Sequence, residues 1–239
     1  MKKICLIFTL LTLISCKKEN TLQDTVTESH HSKFKSHTTT RVSIDTAFFS
    51  YDSKRRQNDY VLVYVLQKQY DKDSICKATF RLDFVQNQKR MYSRNVVVNG
   101  FYLGAAWYAN YELDSVASPL KSVNVGVEAC GYTQTHFLFY IDGKKSDLVH
   151  QWESMSDSGW GSWSEIISGT PNDFYFRTEA FLPADETPDE NEEWGINTFS
   201  DSTHFQLKNG KWIKTQLTEK GKTYRSKKLT FNEYNKIDE

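Results

Sequence analysis

The sequence lacks the local patterns by which common enzyme classes are identified. It has no G-x-S-x-G, H-E-x-x-H or C-x-x-C pattern and no phosphate-binding G-x-x-x-x-G-K loop. The sequence therefore gives no support for the enzyme classes that carry these motifs: serine hydrolases, zinc peptidases, thiol oxidoreductases and P-loop enzymes. These absences do not exclude every enzyme, because the two carboxylates of a glycosidase need only the right separation in space.

The sequence also has little proline or glycine and no net charge. It contains 4 Pro and 11 Gly among 239 residues, which excludes a low-complexity chain. Its 30 basic and 30 acidic side chains balance, so the composition gives no electrostatic support for a nucleic-acid partner. No spacing of His, Cys or carboxylate residues indicates metal ligands or a cofactor, and we expect neither.

Aromatic side chains are abundant, with 15 Phe, 13 Tyr and 6 Trp. They favour strands and supply material for a core. From about residue 41 the polarity alternates with a period of two. In "KSVNVGVEA" (121–129) the valines occupy one face and Asn124, Gly126 and Glu128 the other. Such alternation is typical of strands with one buried and one solvated face.

These strands recur at spacings near ten residues and are joined by turns, with one weak helical turn at 232–238. The pattern predicts an antiparallel all-β sandwich or barrel built of hairpins, with a small propeller-like β-repeat as the alternative. We expect one domain over residues 41–239, with a division near 115–120 as the alternative.

Two hairpins are indicated by their turn residues. Asp142-Gly143 and Asn209-Gly210 each lie between apolar runs, and both dipeptides suit two-residue turns that need positive φ. The tripeptide Thr135-His136-Phe137 recurs as Thr203-His204-Phe205, which would fit an internal duplication. Two unrelated hairpins that use similar residues are the preferred interpretation, because the sequences after the turns diverge.

The N-terminus has the organisation of an export signal. A basic start at Lys2 and Lys3 is followed by an apolar run from Ile4 to Ile14, which is shorter than the ~20 residues a membrane-spanning helix needs. The sequence Leu13-Ile14-Ser15-Cys16 that ends this run resembles the lipobox of bacterial lipoprotein precursors. The resemblance covers residues 1–16 only, and the remainder of the chain resembles no family that we can name.

The resemblance implies that residues 1–15 are removed and that Cys16 becomes the lipidated first residue. Two or three acyl chains anchor a protein stably, whereas one binds marginally. Lys17 follows the cysteine where the family's inner-membrane signal is Asp, which implies the outer membrane, on its periplasmic or surface face. Residues 16–40 are too polar to bury a core, so we interpret them as a flexible tether.

Two cysteines, Cys76 and Cys130, remain after Cys5 leaves with the signal peptide. In an exported protein they predict a disulfide, which would contribute about 4 kcal/mol in the chain-entropy account. Two buried free thiols are the alternative.

The segment "QWESMSDSGWGSWSEI" (151–166) is the best candidate for a binding site. Trp152, Trp160 and Trp163 lie near Asp157 and several serines, a mixture that would stack on a sugar ring or form a protein–protein hot spot. Core positions on adjoining strands are the preferred interpretation for Trp152 and Trp163, while Trp160, between two glycines, is the one expected at the surface.

Three functions remain open from the sequence. The leading hypothesis is a non-enzymatic lipoprotein that binds a glycan or another envelope protein. The second is a glycan hydrolase that uses Asp157, Glu165 or Glu179, and the third is an inhibitor or immunity protein that caps another enzyme.

Overall fold

The computed structural model describes residues 44–49, 59–102, 104–109, 118–126, 132–143, 145–185, 188 and 192–237. The predicted signal peptide and tether (1–40), including Cys16, lie outside these ranges, and so does Cys130. Residues 41–239 form one unit. Within the described ranges the chain forms thirteen strands and one short helix, which confirms the all-β prediction.

Within each sheet, most consecutive strands pair as antiparallel neighbours. The strands are β1 (Asp45–Phe48), β2 (Asp59–Tyr70), β3 (Cys76–Gln86), β4 (Lys89–Asn99), β5 (Ala106–Ala109), β6 (Leu120–Gly126), β7 (Tyr132–Ile141), β8 (Ser146–Asp157), β9 (Trp160–Thr170), β10 (Asp173–Pro183), β11 (Trp194–Lys208), β12 (Lys211–Gln216) and β13 (Arg225–Thr230). Helix α1 (Phe231–Asn235) follows β13 directly.

These strands form two sheets. The first has the order β1-β2-β3-β4, and the second runs from β5 to β12 in sequence order. The long strand β11 pairs with β12 through its second half and with β13 through its first half. Within the described ranges no pairing joins β12 to β5, so the second sheet is open and the fold is a sandwich rather than a closed barrel.

The first sheet packs on one face of β5–β7. Alternate side chains of β2 and β3 enter this core, among them Val61, Val63, Phe80 and Leu82. They meet Trp107 of β5, the two valines Val123 and Val125 of β6, and Phe137 and Phe139 of β7. The period-two pattern therefore predicted this buried face correctly.

The second sheet folds back on itself at the β8–β9 hairpin. Strands β8 and β9 pair only near their turn, through residues 155–157 and 160–162. Beyond these pairs the later strands cover the other face of β6–β8. Trp152 of β8 lies 5.0 Å from Phe176 of β10, and Tyr140 of β7 lies 5.4 Å from Trp212 of β12 (ring centroids). A second aromatic core fills the space between these two halves.

This fold-back makes one prediction wrong. Asn124 and Gly126 were expected on a solvated face of β6, yet both are buried, and Asn124 is 0% exposed. The alternation of polar and apolar residues indicates the polarity of each strand face but not whether that face is exposed. A polar face becomes buried when the sheet folds over it. The chain thus encloses a polar layer that a single flat sheet would leave in water.

The turns and the helix follow their local chemistry. Asn209 and Gly210 have φ of 50° and 74°, which confirms the predicted two-residue turn. At Asp142-Gly143 the hairpin forms but its loop has four residues, because Ile141 pairs with Ser146. Helix α1 begins with a capping box in which Thr230 accepts from the Glu233 amide and Glu233 accepts from the Thr230 amide.

The predicted disulfide is not observed. Cys76 is a free thiol and is 5% exposed, and it lies at the start of β3 in the core beneath the first sheet. A small buried thiol packs there as an apolar side chain.

Candidate functional site

A cavity of about 380 Å³ lies where β8 and β9 diverge between the two halves of the folded sheet. Its volume falls in the range of small-molecule sites, ~300–1,000 Å³. Trp152 and Ser154 line it from β8, and Trp163 and Ser164 line it from β9. Strands β6 and β7 close its inner side with Ser122, Gln134 and Leu138. The cavity exists because the hairpin opens after only three paired positions.

A row of polar side chains crosses the strands behind this cavity. Asn124 of β6 is paired with His136 of β7, which is paired in turn with Trp152 of β8. Because paired residues share a sheet face, all three point between the two halves of the sheet. Gln134 and Leu138, the neighbours of His136 on that face, both line the cavity.

Several polar atoms in and beside this row have no protein hydrogen-bond partner among the described residues. They are Ser122 Oγ, Asn124 Oδ1, His136 Nδ1 and Trp152 Nε1. The other ends of two of these side chains are engaged: Asn124 Nδ2 donates to Gln134 Oε1 (2.8 Å), and His136 Nε2 lies 2.7 Å from Ser154 Oγ. The side chains are thus held in place while one polar atom of each stays unpaired.

Burial keeps the histidines of this region neutral. His136 is 1% exposed, and the loss of hydration lowers its pKa to about 4. Burial, together with the nearby Lys214 ammonium, also lowers the pKa of His150 to about 4. Both imidazoles stack on Trp152, at centroid distances of 4.9 Å for His136 and 5.5 Å for His150. At neutral pH this interior therefore offers polar groups without charge.

The four residues predicted as a site separate in the structure. Trp152 and Trp163 line the cavity. Trp160 packs instead on Phe181, at a centroid distance of 4.6 Å, in an aromatic cluster beside α1. Asp157 is exposed at the hairpin turn, where Ser158 Oγ donates to its Oδ1. Of the four residues predicted to bind a ligand, Trp152 and Trp163 therefore remain candidates.

Two of the three carboxylates considered for hydrolysis, Glu165 and Glu179, contact the same arginine. Arg177 donates through Nε (3.0 Å) and Nη2 (2.7 Å) to Glu165 Oε1, and its Nη2 also lies 3.8 Å from Glu179 Oε2. Glu179 additionally accepts from Asn197 Nδ2 and from the Tyr234 hydroxyl. This arrangement supports a structural ion-pair network and gives no support to a paired-carboxylate hydrolase built from these residues.

A larger cavity of about 720 Å³ lies at one end of the first core. Lys121 lines it with the acidic residues Asp59 and Asp142, and desolvation lowers the pKa of the Lys121 ammonium. Phe49, Asp59 and Ser118 border parts of the chain outside the described ranges, so the described residues form only part of its wall.

The polar row was missed from the sequence. The sequence pattern placed Asn124 on a solvated face, and His136 was noted only as part of the repeated tripeptide. The available signal was the presence of Asn, Gln and His on strands whose other face carries Val123, Val125, Phe137 and Phe139. Within the described ranges, no group of three His, Cys, Asp or Glu residues is arranged to hold a metal ion. The same ranges contain no helix with the length and apolar character to cross a membrane.

Comparisons with protein-family models, curated proteins and solved structures found no match for this chain.

Proposed function

We propose that this chain is a lipid-anchored protein of the cell envelope that binds the end of a glycan in the cavity between β8 and β9. The observation that carries the proposal is a pair of buried polar atoms without protein partners at the cavity wall, Ser122 Oγ and Trp152 Nε1. An unsatisfied buried polar group costs about 1–3 kcal/mol. The two together cost about 2–6 kcal/mol, a substantial fraction of a typical folding stability of ~5–15 kcal/mol. A ligand that completes their hydrogen bonds explains why the sequence keeps them.

The aromatic walls support a ring-shaped ligand. Trp152 and Trp163 both line the cavity, from the two strands that diverge there. Trp163 supplies apolar area for the carbon face of a sugar ring. Trp152, which stacks with His136 and His150, supplies its N–H. Ser122, Ser154 and Ser164 supply hydroxyls. A cavity with a few convergent polar groups also fits ligand binding better than the inhibitor hypothesis, which needs only an exposed edge or loop.

The membrane anchor in this proposal rests on the lipobox resemblance of residues 1–16. A tether of the length of residues 16–40 would let the binding domain reach glycans of the envelope while it stays attached.

Ser122→Ala tests the site with a minimal change. Ser122 is 1% exposed and its hydroxyl has no protein partner, so its removal should leave the melting temperature unchanged or raise it. If the hydroxyl contacts the ligand, affinity should fall about 5- to 10-fold, as expected for the loss of one hydrogen bond worth ~1–1.5 kcal/mol. The ligand is first identified by exposing the full chain, solubilised in detergent, to an array of printed glycans.

Ser146→Ala is the matched control. Ser146 is likewise buried with an unpartnered hydroxyl, but it does not line the cavity. We expect this variant to bind like the wild type. Equal affinity of Ser122→Ala and wild type, or a folded protein that binds no glycan on the array, would contradict the proposal.

A further inference from the structure

We propose that the cavity selects uncharged, hydroxyl-bearing rings and rejects the carboxylate and ammonium counterparts of the same sugars. This inference rests on the proposed function and names the ligand class of that site. It follows from the charges, the donors and the acceptors that line the cavity.

The described part of the cavity lining holds almost no charge. Glu165 is its only acidic side chain, and it contains no Lys, Arg or His. Arg177 binds the Glu165 carboxylate with two N–H groups, so this charge is already compensated. The histidines behind the wall, His136 and His150, are neutral at physiological pH. A charged ligand group would therefore find no opposite charge that is free to pair with it.

The unpaired atoms call for a ligand group that can accept a hydrogen bond. Trp152 Nε1–H can only donate, whereas the Ser122 hydroxyl can donate or accept. A ligand hydroxyl can accept from the indole and donate to Ser122. An ammonium has donors only and would leave the indole N–H unsatisfied, whereas a carboxylate could accept from both groups and is disfavoured by its loss of hydration alone.

Desolvation strengthens this preference. A charge that leaves water for a site without a compensating partner loses hydration that the site does not replace. A ligand hydroxyl loses less and regains its hydrogen bonds. We expect the charged counterparts to bind at least tenfold more weakly than the neutral sugar.

The experiment uses sugar probes that differ in one group. The methyl glycosides of glucose, galactose and mannose are compared with their uronic-acid and 2-amino counterparts, at about pH 6 so that the amines are charged. Binding to the full chain in detergent is measured by calorimetry. The expected result is that a neutral glycoside binds and that both of its charged counterparts bind at least tenfold more weakly.

The outcomes separate this inference from the proposed function. If a neutral glycoside and its charged counterparts bind equally, charge selection is wrong while the glycan site stands. If the uronic acid is rejected but the amine binds as well as the neutral sugar, the Glu165 carboxylate governs recognition and the uncharged-site inference is overturned. If no neutral sugar binds here or on the glycan array, both proposals fail together.

Glu165→Gln provides the control variant. Removal of this carboxylate takes from Arg177 the acceptor of its two N–H groups, so the rejection of uronic acids should weaken, while the rejection of the amines should stay intact because no carboxylate is left to pair with them. A Glu165→Gln protein that binds the amino sugars as tightly as the neutral sugars would overturn the inference.

Discussion

Acid should unfold this protein through two buried histidines. His136 and His150 have pKa values lowered by burial from 6.5 to about 4. The unfolded chain therefore binds protons between these values while the folded chain does not. By linkage, the stabilisation is fully present above about pH 6.5 and is lost as the pH falls toward 4.

The size of the effect follows from the shift. One pKa unit corresponds to 1.36 kcal/mol, so each imidazole should lower the free energy of unfolding by about 2.5 kcal/mol between pH 7 and about pH 4.5. The two together amount to about 5 kcal/mol, which is comparable with the whole stability of many domains. Hydrogen bonds from His204 and Gln206 hold the pKa of Asp173 below its usual 3.8, so that carboxylate contributes only at lower pH.

Urea unfolding followed by tryptophan fluorescence at the two pH values measures this difference. His150→Gln should reduce the pH-dependent loss by about half, because one titrating group is gone. Phe181→Leu is the control, since it removes a ring from the separate aromatic cluster beside α1 and leaves the surroundings of both imidazoles intact. It should lower stability at both pH values and leave their difference unchanged. A wild-type loss below about 1 kcal/mol, or an undiminished loss in His150→Gln, would refute the reasoning.

Two further changes test packing and anchoring. Gly195→Ala would place a Cβ against the rings of Phe181 and Trp160, and we expect urea unfolding to show a loss of about 1–3 kcal/mol from overpacking; an unchanged midpoint would show that this cluster is loosely packed. Cys16→Ala should abolish labelling by a lipid precursor and release the protein from the membrane fraction, and a variant that stays labelled and membrane-bound would refute the lipobox interpretation.

Local chemistry predicted much of the fold. The alternation in 59–70 and 77–86 indicated β2 and β3, and the Asn209-Gly210 turn joins β11 to β12 as its dipeptide predicts. The open hairpin at β8–β9 was not predictable in the same way. The sequences of β8 and β9 are both typical of strands. The strands separate because of contacts between residues that lie far apart in the chain, such as Trp152 and Phe176. The candidate site arises from this separation, so the sequence indicated Trp152 and Trp163 without indicating the cavity between them.

The repeated Thr-His-Phe tripeptide shows what sequence alone leaves undecided. In β7, Phe137 enters the core beneath the first sheet and His136 points between the two halves of the second sheet. In β11 the orientation is reversed, since Phe205 is in the core between the halves and His204 lies outside it, 2.6 Å from Asp173. The two copies are therefore not equivalent positions of a duplicated unit, which supports two unrelated hairpins.

The same three residues thus produce a buried neutral imidazole in one strand and a partly exposed hydrogen-bond partner of Asp173 in the other. The two copies of the tripeptide differ in which face of their strand the neighbouring strands cover. The polar row behind the cavity depends on the same choice, because Asn124 and His136 would be ordinary solvated residues if β9–β12 did not fold over them. The chemistry of the candidate site is therefore a property of the fold-back, and no single strand carries it.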